Sequence, residues 1–179
     1  MKTRQLSMNA MFCAMCAVLG YLALDFGNLK VTFESLPVFL AALLFGPVNG
    51  ALVGGVGTLI YQFLRYGLTL TTPLWILPYA LAGLVVGLFA RHWKYTPTPR
   101  QTLLLVVFAE LMITALNTGV LYIDSKLFGY YSPAFLFGSL GLRLVICVVK
   151  SVAFGLLLPA LTKMEHRALR PGRSVGVRQ

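Results

Sequence analysis

The chain has 179 residues, 58% of them hydrophobic and only 11% charged, with a formal net charge of +10. Soluble domains carry about 25% charged and 45–50% apolar residues, so a water-soluble globule of this length could not hide so much apolar surface. Composition excludes a soluble fold and makes lipid the solvent for most of the chain.

Lys2 and Arg4 precede a first apolar run, Leu6–Leu24. A charged start followed by an apolar core is also the pattern of a signal peptide. This run exceeds the usual 7–15 residues and lacks a clear cleavage site, so it is read as a helix. Ser7, Ala10, Ala14 and Ala17 share one face of that helix at spacings of three and four. Small residues let helix backbones approach in lipid, where no hydrophobic force drives association. Ala10, Ala14 and Ala17 therefore fit a docking strip for another membrane protein and fit packing within the chain equally well. Cys13 and Cys16 match a CxxC spacing, but no second pair or histidine completes a metal site.

Leu36–Leu64 is too long for one span and too short for two. Gly46-Pro47 breaks it into Leu36–Phe45 and Val48–Leu64, because proline lacks a donor and disfavours helix before it. Gly50, Gly54 and Thr58 form a small-residue stripe in the second piece, and Ala80, Gly83 and Gly87 form one in the next helix, Trp75–Ala90. Packing within the chain accounts for both. Two further apolar runs, Thr102–Tyr122 and Ser139–Leu161, complete six helices.

Loop charges orient the bundle. Lys2, Arg4, Arg91, Lys94, Arg100, Lys163, Arg167, Arg170, Arg173 and Arg178 all fall on one side of a six-span topology. The opposite loops hold Lys30, Arg65 and Lys126, offset by Asp25, Glu34 and Asp124. The expected architecture is an all-α, multi-pass cell-membrane protein, a six-transmembrane-helix bundle with both termini cytoplasmic. Residues 1–163 form the membrane domain and 164–179 a basic cytoplasmic tail, flexible from Thr162 onward. The net positive charge is then topology and not a nucleic-acid footprint.

Three charged residues and an asparagine sit inside the last two spans. At 1.5 Å per residue, Arg143 lies about 6 Å below the outer end of its helix and Lys150 about 16 Å; on the antiparallel neighbour Asn117 lies about 8 Å deep and Glu110 about 18 Å. The depths match crosswise. Glu110 and Lys150 are expected to neutralise each other, since a lone charge at that depth costs several kcal/mol. Arg143 has no acid at its level. It either snorkels to the headgroups or faces an outward-open cavity, where its planar guanidinium suits a carboxylate in two-point contact; the second reading is preferred. Asn117 would hydrogen-bond the ligand. Phe33, Glu34 and Lys30, with Arg65, Tyr66, Trp75, Tyr79, Tyr122, Tyr130 and Tyr131, are expected near the mouth, although interfacial aromatics commonly serve only as anchors.

The chain has no GxxxxGK[ST] phosphate loop, no HExxH and no serine–histidine pair within a span. His92 and His166 lie in the segments read as cytoplasmic. No cofactor, metal or enzymatic reaction is implied, and a pocket without an energy source suggests a binding subunit.

LKVTFESLPVFLAALLFGPVNGALVGGVG, TLTTPLWILPYALAGLVVGLF, ALNTGVLY and LRLVICVVKSVAFGLLLPAL together resemble the substrate-binding (S) components of energy-coupling factor (ECF) transporters, most closely the folate group. The likeness runs over roughly Ser7–Leu161. It departs from the folate pattern at GGVGTL, where an acidic residue often follows the glycine, and in the loop FLRYGLTLTTPLW, which lacks a PxGPYFPGF-like run. The resemblance implies a six-helix receptor that captures folate or a related anionic vitamin outside the cell. It would dock, through helix 1 among others, on a transmembrane coupling subunit driven by two ATPase subunits. It also implies that Asn117, Arg143 and Lys150 face the substrate and that Phe33 and Pro37 lie in the region of lid and pocket floor; Trp75 and Tyr79 are expected substrate contacts from their place among the outer aromatics. Pantothenate, a thiamine precursor or another vitamin remains an alternative ligand. From a different class, the alternative is a small intramembrane enzyme using Glu110.

Overall fold

The computed structural model describes residues 3–26, 29–134, 138 and 140–169. Lys2, Ser139, Arg170, Arg173 and Arg178 lie outside the described residues, as do the side chains of Asp25, Lys30, His166 and Arg167. Six helices dominate: α1 Thr3–Tyr21, α2 Ser35–Phe45, α3 Pro47–Tyr66, α4 Thr72–His92, α5 Pro99–Leu127 and α6 Leu140–Leu169. Between α1 and α2 runs a small antiparallel hairpin, β1 Leu24–Phe26 and β2 Leu29–Val31, with Asp25 opposite Lys30. The six-helix, all-α architecture is as expected; within the α1–α2 connection, α1 stops at Tyr21, short of Leu24, and the chain forms this short extended pairing.

Local chemistry places the breaks. Gly46 adopts φ 92°, a left-handed conformation that a side chain would strain, and Pro47 then opens α3 where its missing N–H costs nothing. Gly67, at φ 73°, closes α3. Thr98 caps α5 in a reciprocal capping box with Gln101, just before Pro99.

α2 is the hub. Pro37 through Leu43 are all buried, and the helix touches α1, α3, α4 and α6. An eleven-residue helix is too short to cross hydrocarbon alone, but one surrounded by longer neighbours need not. Backbone contact joins α3 to α4: a Cβ on Gly83 would stand 2.3 Å from the Gly50 carbonyl oxygen, and one on Gly54 2.4 Å from that of Tyr79. Gly87 meets Pro47 in the same way. The two stripes read from the sequence are therefore one interface.

Among the described residues, three helices are long and apolar enough to cross a membrane: Thr72–His92, Pro99–Leu127 and Leu140–Met164. α1 and α3 are diluted by polar residues and glycine, including Gln5, Asn9, Asn49 and Gln62. Large apolar side chains such as Leu104, Val149 and Leu156 are exposed on the outside of the bundle, as lipid contact requires. α6 continues to Leu169, so Thr162 is helical and the flexible segment expected from that point is corrected.

Candidate ligand-binding cavity

At the end of the bundle that carries the hairpin, a cavity of about 800 Å³ opens between α3, α4, α5 and α6. Its floor is a connected polar network. Glu110, 1% exposed, is held on both oxygens: Ser35 donates its hydroxyl to Oε1 at 2.5 Å, and Lys150 Nζ lies 2.8 Å from Oε2. The crosswise pairing of the two deep charges is thus present. Lys150 also donates to the Thr32 carbonyl at 3.2 Å, tying the hairpin's end to α6. Thr32 donates its hydroxyl to Glu34 Oε1 at 3.1 Å, and the Thr32 and Tyr79 hydroxyl oxygens lie 3.3 Å apart in a further hydrogen bond.

Nearer the rim the walls carry Asn117, Arg143, Arg65 and Asp124. Asn117 Oδ1 is buried without a hydrogen-bond partner among the described residues. Arg65 Nη1 donates to the Tyr21 carbonyl at 3.0 Å and the guanidinium lies over the Tyr66 ring. Tyr130, on the rim, donates to the Asp124 carboxylate. Partial burial first, then that carboxylate, pushes the Tyr130 phenol up to about 12. Just outside, Lys126 Nζ stands 4.8 Å from the Tyr122 ring centre and 5.6 Å from that of Tyr131, and the two rings meet edge-on. Hydroxyls of Thr69, Thr71 and Thr72 bond one another in the α3–α4 loop, where Thr69 and Thr71 line the cavity.

Of the residues expected at a ligand site, Arg143, Asn117, Lys150, Trp75 and Tyr79 come together around the cavity. Arg143 faces this chamber. Phe33 does not join them: it is 40% exposed and packs 6.2 Å from Phe154, outside the lining. Val31, Thr32 and Glu34 line the cavity while Phe33 turns out; β2 has ended at Val31 and Glu34 already has a helical backbone. Glu34, expected at the mouth, is 2% exposed in the floor. Thr32, Ser35 and Tyr61 were not legible as site residues; the available signal was an acid, Glu34, directly before a helix that is apolar after Ser35. On α1, Ala10 and Ala14 are exposed, whereas Ala17 is buried, so the exposed small-residue strip ends at Ala14. Cys16 faces Gly57 of α3, where a Cβ would lie 2.6 Å from its own.

A family model for the ECF transporter substrate-specific component matches residues 4–164, nearly all of the chain. The chain belongs to that family. Its fold is that of solved S components: FolT bound with folic acid (TM-score 0.65, 21% identity, 86% of this chain and 90% of that one); the S component of a bacterial ECF transporter (0.65, 20%, 95% and 99%); and the S component for biotin from an ECF-type ABC transporter (0.64, 17%, 90% and 92%). Identities this low speak for the fold alone. Curated relatives include a UPF0397 protein of Streptococcus pneumoniae serotype 19F (strain G54), 38% identical over 97 residues, 52% of either chain. Another, from Streptococcus thermophilus (strain ATCC BAA-491 / LMD-9), is 30% identical over 71 residues, 40% of this chain and 38% of its own length. The matches thus span about half or less of those relatives. As a member of this family the chain is a membrane transport component.

Proposed function

We propose that this S component captures folate or a related anionic vitamin from outside the cell and passes it to a transmembrane coupling subunit with two ATPase subunits. The observation that carries the reading is the cavity on which Arg143 of α6 opens, since its volume, about 800 Å³, lies within the ~300–1,000 Å³ of small-molecule sites. A guanidinium at the rim takes a carboxylate in two-point contact; Trp75 offers a flat aromatic wall, and Asn117 an unused acceptor. The excess of Lys and Arg at the far end supports an outward-facing cavity and cytoplasmic termini in the cell membrane. The exposed strip at Ala10 and Ala14 supports α1 as the docking surface. Lys150 serves the floor through Glu110 and Thr32, so the ligand's acid belongs to Arg143. The intramembrane-enzyme alternative loses support because both oxygens of Glu110 are occupied by Ser35 and Lys150.

Calorimetric titration with folic acid, pantothenate, a thiamine precursor and biotin tests the reading. One of them is expected to bind stoichiometrically. Arg143→Ala should then weaken it more than tenfold, about 1.4 kcal/mol. Unchanged affinity in that variant removes Arg143 from the site.

A further inference from the structure

A second cleft, of about 210 Å³, lies at the opposite end of the bundle, between the α4–α5 loop and the last turns of α6. That volume falls below the ~300–1,000 Å³ of sites that enclose a whole small molecule. It fits one end of a larger molecule that continues outside. Lys163 marks its level. It follows Leu140, the start of α6, by about 35 Å at 1.5 Å per residue. Hydrocarbon is about 30 Å thick, so the Lys163 ammonium stands where lipid phosphates lie when α6 begins at the outer face.

The loop is shaped at a cost. Lys94 and Tyr95 hold φ 51° and 62°, left-handed values that strain residues other than glycine by about 1–3 kcal/mol each. They fold the loop back beneath the α2–α3 turn, where a Cβ on Gly46 would stand 2.7 Å from the Tyr95 hydroxyl. The space left between loop and α6 is the cleft, with Leu43 of α2 in its wall.

Its lining is apolar apart from one charge and a few hydroxyls that are already committed. Pro97, Pro99 and Pro159 have no N–H to offer. The hydroxyls of Thr96, Thr102 and Thr162 give their protons to the carbonyls of Trp93, Thr98 and Leu158, at 3.1, 3.2 and 2.9 Å. Lys163 supplies the charge, and among the described residues no carboxylate pairs with it. Exposed Arg91, Lys94 and Arg100 stand at the same end. The sequence sets one acid there, Glu165, whose side chain lies outside the described residues. Within two turns of Thr102 and Thr162, toward the bilayer centre, α5 and α6 expose Leu104, Leu156 and Leu157, so hydrocarbon lies beside the cleft. Its occupant must be anionic at one end, apolar at the other, and longer than the cleft.

We propose that the cleft holds an anionic phospholipid of the leaflet at this end, the cytoplasmic one by the loop charges. Its phosphate meets Lys163, and one acyl chain starts against Leu43 and Pro159. Bound there, the lipid ties the α4–α5 loop to α6. Basic pockets between spans at the cytoplasmic face take lipid headgroups in just this way. A partner's helix, about 10 Å across, is too broad for so small a space.

The test is native mass spectrometry of the purified full chain, titrated with palmitoyl-oleoyl phosphatidylglycerol, the phosphatidylcholine with the same chains, and inorganic phosphate. Wild type should retain one phosphatidylglycerol at least fivefold more tightly than phosphatidylcholine, and Lys163→Gln should erase that preference. Lys94→Gln removes the same charge at the same end but lies outside the lining, so it should keep the affinity within twofold. Both positions are exposed, and neither substitution threatens the fold. Thr96→Phe, which fills the cleft from the exposed loop, should weaken both lipids. Equal binding of the two lipids by wild type, or an unchanged preference in Lys163→Gln, overturns the proposal. Equal losses in the Lys163 and Lys94 variants also overturn it, in favour of diffuse attraction. Displacement of the lipid by inorganic phosphate makes the cleft a free-anion site instead. A chain that takes no lipid, and whose Lys163→Gln variant loses its coupling subunit, assigns this face to protein docking. Vitamin capture in the outer cavity is untouched by any of these outcomes.

Discussion

Replacing Lys150 by methionine would leave Glu110 in the floor with Ser35 as its donor among the described residues. The methionine chain keeps most of the packing, so the loss is electrostatic. Breaking a buried pair by removing one partner costs about 3–5 kcal/mol, and Glu110, at 1% exposure, cannot recover that from water. For a chain of this size about 1 kcal/mol corresponds to roughly 2–4 °C, so the melting temperature should fall by about 6–20 °C. The hairpin's end also loses its tie to α6, because the same ammonium holds the Thr32 carbonyl. Glu110→Gln in the same chain should return most of the loss, since a neutral amide still accepts from Ser35 and no charge remains to desolvate. A thiol-reactive dye reads the transition in a Cys13→Ser background, because Cys16 and Cys147 are buried until the bundle opens whereas Cys13 is half-buried. A Lys150→Met variant that melts within 2 °C of wild type, or a double variant no better than the single, would refute the view that this pair holds the floor together.

Gly83→Ala should destabilise the bundle by about 1–3 kcal/mol, because its Cβ would lie 2.3 Å from the Gly50 carbonyl and force two backbones apart; the same dye-based melt reads it. Ala14→Trp, on an exposed position of α1, should change stability by less than about 0.5 kcal/mol and leave ligand binding unchanged. If α1 is the docking surface, that variant should lose co-purification with its coupling subunit; full recovery of the complex would place docking elsewhere. Asn117→Leu removes the buried unsatisfied acceptor and should weaken a donor-bearing ligand several-fold while leaving melting of the empty protein unchanged or slightly raised, as calorimetry and melting together will show.

Sequence alone determined the solvent, the number of helices and the pairing of the deep charges. Each follows from one-dimensional facts: apolar run length, the Gly46-Pro47 break, and the rise per residue that sets Glu110 level with Lys150. That the α3 and α4 stripes pack within the chain was also legible, because small residues spaced by three and four let backbones approach; that they face each other came from the tertiary structure. What surrounds the cavity was only half visible. Arg143, Asn117 and Lys150 announced themselves as polar residues in apolar helices, where their cost demands a reason.

The connection between α1 and α2 carried no such signal, and only the tertiary structure decided it. Polar residues are ordinary in a loop, so nothing marked Glu34 and Thr32 as inward or Phe33 as outward. That choice depends on how the chain leaves the hairpin, with Lys150 holding the Thr32 carbonyl and Ser35 drawing the start of α2 down to the level of Glu110. Depth in a membrane can be counted along a helix, where each residue adds a fixed rise. Along a loop it cannot, and there the packing of the neighbours alone fixes which side chains reach the floor.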